Sequence, residues 1–510
     1  MKLVMPAGVK IFFLLCSLLA GAAHAVEPTQ GVYYEIFVRS FQDSDGDGIG
    51  DFQGVIQRLD YLQELGVTGI WLMPIQPSPS YHGYDVTNFK AVNPDYGTLD
   101  DFRELLRAAH QRGINVIIDL VVNHTSSEHP WFQAALARDP AYRNYYLWSE
   151  TPRDWRGVSG APAWHKSASG YYLGVFGSGM PDLNYRNPLV EQEMRGIARF
   201  WLEVGVDGFR IDAIQHVVES QDGDISNTPE NLQWVKEFDS YIHLVKPEAF
   251  LVGETWTSTP TIVRYHQDAQ LDMSFNFPLA EALLSAIEKR SPSNLRFALE
   301  QDEKLYPTTA VRGTFITNHD QVRSATALGF RKPDPLRERL AAGLLLTLPG
   351  TPFLYYGEEI GMPNGPGKGD EAKRTPMRWD ATPGAGFTAG EPWYPFSSDD
   401  PKVSVAAQQE DPDSLLRWYR TLISLRMNHE ALSRGTLELL DVGERSVLAF
   451  SRQAGEQVIL VLANFSTKEH EFDLAPLKAA GSFDLVSGHG RRVGQFLTLP
   501  KSTMVILLLP

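Results

Sequence analysis

The chain has 510 residues, 43% apolar and 11% aromatic, with a formal net charge of −16. Such a length supports a large buried core divided between two or three domains, and the acidic, mixed-sign composition argues against a nucleic-acid partner. The 11 Trp and 19 Tyr supply ring faces that suit sugar stacking and equally suit a large core.

Lys2 and Lys10 flank the start of an apolar run over 11–20, and Ala23-His24-Ala25 follows as a small-x-small motif. This predicts a signal peptide over 1–25, cleaved after Ala25, and a secreted or periplasmic protein. The run is too short for a good membrane span, so no membrane association is expected after cleavage; an uncleaved anchor is the alternative. Cys16, the only cysteine, follows Leu14-Leu15, which argues against lipoprotein processing. Cleavage removes it, so the mature chain forms no disulfide. A monomer is expected.

A first strand is predicted over 33–38. The next loop places Asp43, Asp45, Asp47 and Asp51 at positions 1, 3, 5 and 9 of an EF-hand-like pattern, with Gly48 at position 6. Gly54 stands at position 12, where a Glu is expected. The four acids and the Ile49 carbonyl predict a lone hard cation, Ca2+ or Mg2+, rather than a full EF-hand; a solvated acidic turn is the alternative. A helix over 55–65 ends at Gly66. A strand over 69–73, the loop Tyr81-His82-Gly83-Tyr84-Asp85, a helix over 99–111 and a strand over 115–122 lead into Asn123-His124.

The regular alternation stops over 124–188, a stretch rich in Trp, Tyr, Pro, Gly and Ser, which predicts an irregular functional insert. It resumes with a helix over 189–204, a strand over 206–211, a helix over 232–245 and a strand over 250–253 that enters Glu254. A strand over 272–275, helices over 281–287 and from 294, and a strand over 313–317 lead into Asn318-His319-Asp320. A helix over 336–348 and a strand over 351–355 complete the series. Eight strands with intervening helices predict an α/β fold, a (β/α)8 TIM barrel over 29–123 and 189–429, with the insert after strand three. Alternating segments over 430–510 predict a C-terminal antiparallel β-sandwich.

In a barrel the carboxyl ends of the strands converge on one mouth. Asp119, His124, Arg210, Asp212, Glu254, His319 and Asp320 all fall near such ends. The stretch 205–213 reads as a buried strand carrying Arg210 and Asp212 to the same side. It is by itself equally a structural ion pair or a nucleophile kept ionised by a cation. Glu254 and Asp320 favour the second reading, because paired carboxylates suit glycoside hydrolysis. Asp212 would attack the anomeric carbon. Glu254, kept protonated by an aromatic wall at Trp256, would protonate the leaving oxygen. Asp320 would favour ring distortion, and a carboxyl separation of about 5–5.5 Å would mean retention. His124, His216 and His319 suit donation to sugar hydroxyls; for His216 a structural hydrogen bond is an equal reading.

These residues resemble the conserved blocks of the α-amylase family of glycoside hydrolases. Asp119-Leu-Val-Val-Asn123-His124 is similar to its first block, and Gly208-Phe-Arg210-Ile-Asp212-Ala213 to its nucleophile block. Val252-Gly-Glu254 is similar to its acid/base block, and Phe315-Ile-Thr-Asn318-His319-Asp320 to the block of its third carboxylate. The resemblance implies domain A as the barrel, domain B as the insert and domain C as the terminal β domain. It implies Asp212 as nucleophile, Glu254 as acid/base and Asp320 as transition-state stabiliser. Tyr84, stacking under the sugar, with Asp85, His124, Arg210, His216, His319 and Arg323 would bind substrate, and Asp119 would play a structural part. A second calcium would be held by Asn123 and Asp182, with the His216 carbonyl as a further ligand, and the 43–51 loop resembles the metal loop of the oligosaccharide-acting branch. Met180-Pro-Asp182-Leu-Asn184 resembles a block intermediate between neopullulanase-type and oligo-1,6-glucosidase-type members. Ala213 and Glu254-Thr-Trp256 imply α-1,4 specificity; Gln215, where many amylases carry Lys, departs from the pattern. The resemblance therefore implies an endo-acting hydrolase of starch or maltooligosaccharides. An α-glucosidase or transglycosylase is the alternative, and a non-enzymatic carbohydrate-binding relative is disfavoured because all three carboxylates are present.

Overall fold

The computed structural model describes residues 27–509 apart from 330–333, 480 and 487–489; the predicted signal peptide, 1–25, lies outside the described residues. In chain order, β1 (Tyr33–Ile36), β2 (Gly69–Leu72) and β3 (Asn115–Val121) are followed by the insert strands β4 (Trp148–Ser149), β5 (Trp164–Ser167) and β6 (Gly170–Leu173). Then come β7 (Gly208–Asp212), β8 (Phe250–Gly253), β9 (Met273–Phe275), β10 (Val311–Phe315) and β11 (Thr351–Tyr355). The eight strands other than β4–β6 close into a barrel with neighbours β1-β2-β3-β7-β8-β9-β10-β11, every pair parallel. This is the (β/α)8 barrel predicted from the sequence.

Side-chain alternation along the strands fills the barrel with aromatic rings. Tyr33 stacks on Phe353 at 4.9 Å, and Trp71 lies against Phe275 at 5.4 Å. These rings form the floor on which the charged groups rest. On β7, Phe209 and Ile211 join the core shared with the outer helices, while Arg210 and Asp212 take the other face. Gly208 is required there, because a Cβ would lie 1.9 Å from the Phe250 carbonyl oxygen.

The structure departs locally from the sequence expectations at three places. The first strand ends at Ile36, and Val38–Phe41 forms one helical turn. The helix predicted over 55–65 is two helices, Phe52–Gln57 and Leu59–Leu65. At the break, the Arg58 side chain stacks over Trp379 at 4.1 Å and donates to Gln42 and to the Gly386 carbonyl. Strand β10 begins and ends two residues earlier than expected, in register with β9 and β11.

The insert forms a small sheet in the order β4-β6-β5 and joins the barrel where His124 bridges to Asp182. The C-terminal region forms a five-stranded and a three-stranded antiparallel sheet. Among the described residues no helix is long and apolar enough to cross a membrane.

Candidate active site

Arg210, 1% exposed, organises the carboxyl ends of the strands. Its Nη1 donates to Asp212 Oδ1 at 2.5 Å and to Asp119 Oδ1 at 2.8 Å, and its Nη2 lies 2.9 Å from Glu254 Oε2. Trp71 lies under the guanidinium at 5.2 Å. β7 ends at Asp212, and Ala213 turns into the left-handed region at φ 47°. That turn aims the Ala213 N–H at Glu254 Oε2, 2.9 Å away. A non-glycine residue in this conformation is a local strain of the kind concentrated at functional sites.

The anchoring is asymmetric. Asp212 is held through Oδ1 and Glu254 through Oε2; among the described residues neither Asp212 Oδ2 nor Glu254 Oε1 has a hydrogen-bond partner. One oxygen of each carboxyl is therefore fixed and the other is free to react. Asp119 is wholly buried and accepts from Arg210 and from the Tyr84 hydroxyl, so it orients groups and does not meet solvent.

The sequence suggested that Arg210 would hold Asp212 low. Instead, burial raises the Asp212 pKa, and Arg210 opposes the rise without cancelling it. Burial also raises Glu254, with Arg210 opposing and the charges of Asp212 and Asp320 adding to the rise. Burial pushes Asp119 up to about 7 against the pull of Arg210. The expected aromatic wall is not the cause for Glu254: Trp256 turns outward, 43% exposed, and stacks on Phe277 at 4.5 Å.

Asp320 is the most open of the three carboxylates, its side chain 34% exposed. Burial would raise its pKa, but His319 and Arg374 hold it well below the usual carboxylate range. Arg374 Nη2 donates to Asp320 Oδ1 at 2.8 Å, and His319 Nε2 lies 3.3 Å from Oδ2. For His319, burial favours the neutral ring, yet Asp320 and Glu35 raise its pKa to about 9. The protonated ring donates from Nδ1 to Glu35 at 2.5 Å and from Nε2 to the Tyr84 hydroxyl at 2.6 Å. Tyr84 in turn donates to Asp119 at 3.0 Å, linking Glu35, His319, Tyr84, Asp119, Arg210 and Asp212 in one network.

This network sets a pH dependence. A raised His pKa contributes stability that is complete below the ordinary value of 6.5 and is lost as pH rises through about 9. The variant Glu35→Gln removes one of the two charges that raise it, so the fall in melting temperature above pH 6.5 should be smaller and finish at a lower pH than in the wild type. Superimposable profiles of melting temperature against pH from 6 to 10 would count against this linkage.

Other expected site residues are placed as follows. Tyr84 stacks on the His319 ring at 5.5 Å and is partly open to the site. Asp85 accepts from Ser78 and Ser80, holding its own loop. The His124 donor goes from Nε2 to the Tyr84 carbonyl at 3.2 Å rather than toward a sugar, and burial lowers its pKa to about 4. His216 contacts the Ile225 carbonyl through Nδ1 and the Gln215 amide through Nε2, so both ring nitrogens are engaged. Gln215 also donates to the Trp256 carbonyl, tying the loops after β7 and β8 together. Arg323 is directed away from the carboxylates: it is buried, donates to the Tyr356 and Lys373 carbonyls, and stacks over Tyr355.

The sequence reading missed Glu35, Arg374 and Phe176. Glu35 is the one charge in the apolar segment 33–38, which was a visible signal. Arg374 and Phe176 lie in irregular loops without periodicity. Phe176 reaches from the insert to within 5.4 Å of the His124 ring and 5.5 Å of the His216 ring.

A carboxylate pair, a third carboxylate locked in the ionised state and flanking aromatic faces suit chemistry at an anomeric carbon. The α-amylase catalytic-domain family model matches residues 35–435, and the maltogenic amylase C-terminal-domain model matches residues 437–506. The chain belongs to the α-amylase family. It is a glycoside hydrolase of that family, similar to alpha-amylase 3 of Dictyoglomus thermophilum, with 40% identity over 87% of this chain and 86% of that protein. It is also similar to the oligo-1,6-glucosidase of Parageobacillus thermoglucosidasius, with 33% identity over 87% of this chain and 91% of that one. The crystal structure of the alpha-amylase from H. orenii superposes with a TM-score of 0.83 at 39% identity, covering 94% of this chain and 99% of that chain.

Members of this family often bind calcium, and two places in this α-amylase-family chain fit a hard cation. In the 43–51 loop, carboxylate oxygens of Asp43, Asp45 and Asp51 lie within 4.8 Å of one another. Asp47 is not part of that group; its Oδ1 accepts from the Ile49 N–H. The oxygen-only donor set suits Ca2+ or Mg2+. Gly54 cannot be replaced by the usual Glu, because its Cβ would lie 1.9 Å from the Gln42 carbonyl oxygen. At the second place, among the described residues, neither amide atom of buried Asn123 has a partner, and the Asp182 carboxylate accepts only from the Val175 N–H. Burial pushes Asp182 well above the ordinary range, so a cation between these two residues would satisfy otherwise unbalanced oxygens.

Proposed function

We propose that this chain is an exported, endo-acting hydrolase of α-1,4-glucosidic bonds in starch or maltooligosaccharides, working by double displacement with retention. The observation that carries the reading is the asymmetric anchoring of Asp212 and Glu254 on Arg210. One guanidinium holding both carboxyls, through contacts of 2.5 and 2.9 Å, is compatible with the separation of about 5–5.5 Å that retention requires. Asp212 Oδ2 attacks the anomeric carbon while Glu254 gives its proton from Oε1 to the leaving oxygen. Glu254, now a base, then takes a proton from the water that displaces Asp212. Asp320, ionised beside His319 and Arg374, meets sugar hydroxyls and favours the distorted ring of the transition state. The exposed face of Trp256 offers a platform on the leaving-group side.

The Asp43, Asp45 and Asp51 oxygens would hold Ca2+ or Mg2+, and Asn123 and Asp182 a second Ca2+. Both ions would act structurally, the first bracing the start of helix Phe52–Gln57, the second tying the insert to the end of β3. Export rests on residues 1–25, and cleavage after Ala25 is checked by N-terminal sequencing of the processed protein.

The time course of products from maltoheptaose, run with and without a chelator, tests the reading. Mixed short products are expected, with a chelator lowering the melting temperature and added Ca2+ restoring it. Glucose alone would replace endo-action by exo-acting α-glucosidase action, and products longer than the substrate would mean transfer. That second reading is favoured by the 33% identity to an oligo-1,6-glucosidase. Turnover of isomaltooligosaccharides with none of maltoheptaose would overturn the α-1,4 assignment.

A further inference from the structure

At the amino ends of β8 and β9, opposite the carboxylate site, three metal-ligating side chains meet. Asp239 and His243 stand one turn apart on helix Pro229–Val245, and Asp272 immediately precedes β9. One ligand atom from each lies within 4.8 Å of the other two. His243 Nε2 is 3.1 Å from Asp272 Oδ2 and 3.8 Å from Asp239 Oδ1. Around a tetrahedral cation with bonds of about 2.0–2.1 Å, ligand atoms stand about 3.3–3.4 Å apart. The observed separations accept such an ion with small side-chain adjustments.

A second observation points to a ligand. The Asp239 side chain is only 9% exposed, and its Oδ1, the oxygen nearest His243, is buried without a hydrogen-bond partner among the described residues. Buried carboxylate oxygens are rarely left so. The other two groups are already oriented from behind. Asp272 Oδ2 accepts from the Leu251 N–H at 2.9 Å, and His243 Nδ1 lies 3.2 Å from the Pro247 carbonyl. With its Nδ1 proton committed to a carbonyl, the ring presents Nε2 to carboxylate oxygens alone. That nitrogen must carry either a second proton or a metal. Among the described residues no Lys or Arg forms an ion pair with Asp239 or Asp272; nearby Lys246 is committed to Asp207 and the Val206 carbonyl.

We propose that Asp239, His243 and Asp272 form a structural site for one divalent cation of the zinc type, clasping helix Pro229–Val245 to the entry of β9 beside β8. An imidazole with two carboxylates suits a borderline cation, whereas Ca2+ and Mg2+ take oxygen-only sets such as the 43–51 loop. The His243 side chain, 29% exposed, leaves an entry path, and a water would complete the four ligands. The site takes no part in sugar chemistry.

The test uses the full chain, stripped of metal and then saturated with Ca2+ to fill the oxygen-only positions. Titration with Zn2+ alone should show one further equivalent and a rise in melting temperature, and Co2+ should give the visible band of a four-coordinate site. His243→Gln should weaken Zn2+ binding on the order of 100-fold. Asp239→Asn should weaken it as well, with hydrolytic activity measured without zinc unchanged in both. No further equivalent, or identical titrations in wild type and variants, would mean that the cluster is only a protonated-histidine ion pair. Should His243→Gln fail to fold, Asp239→Asn and the wild-type Co2+ spectrum still decide, and absence of the four-coordinate band overturns the proposal.

Discussion

Asp212→Asn is expected to lower kcat on soluble starch on the order of 10⁴-fold while the protein stays folded, because a side chain that forms the covalent intermediate has no substitute. The amide oxygen can still accept from Arg210 Nη1, so the anchor at Oδ1 survives. What changes is the other end, where an amide nitrogen replaces the free Oδ2. Stability should not suffer, because the substitution removes one of three carboxylates that share a single guanidinium. The measurement is reducing-end release from starch beside a thermal melt. A rate within tenfold of wild type would sink the nucleophile assignment. Glu254→Gln separates the two roles. It should lose most activity on starch, whose leaving group needs a proton, yet keep the first step on an activated maltosyl substrate whose leaving group does not. Asp212→Asn should lose both.

The part of this site that strands build was legible in the sequence. Arg210 and Asp212 two residues apart had to share a face, and Glu254 had to follow a buried strand, because side-chain alternation is a local property. What was not legible came from long-range partners. His124 and His216 look like free donors in the sequence, but their nitrogens are taken largely by the Tyr84 and Ile225 carbonyls, and main-chain acceptors leave no trace in residue identity. Arg374 reaches Asp320 from a loop 54 residues on. Arg323 follows Asp320 closely in sequence but turns to the Tyr356 carbonyl. The direction of the Asp212 pKa shift was misread because burial, like these partners, is set by residues far along the chain. A neighbouring arginine in the sequence says nothing of how many other carboxylates claim it.

That sharing makes Arg210→Met the most damaging single change to the fold at this site. Methionine comes close in length, so the contact over Trp71 is largely kept, while Asp119, Asp212 and Glu254 are left facing one another with no cation between them. Removing one partner from a buried ion pair costs about 3–5 kcal/mol, because the remaining charge stays desolvated. Activity should vanish as well, since both reacting carboxyls lose the group that fixes one oxygen and frees the other. The pH dependence identifies the cause. Without Arg210 the folded-state pKa values of these carboxyls rise further above their unfolded values, so the fold is penalised where they must ionise. The stability deficit should therefore be small near pH 4 and grow toward pH 8, measured by denaturant unfolding at each pH. A deficit that stays flat with pH would assign the loss to van der Waals contact and not to charge. Adding Asp119→Asn to Arg210→Met should recover part of the deficit at pH 8, because it removes a wholly buried carboxylate that touches no solvent and serves only to orient Arg210 and Tyr84.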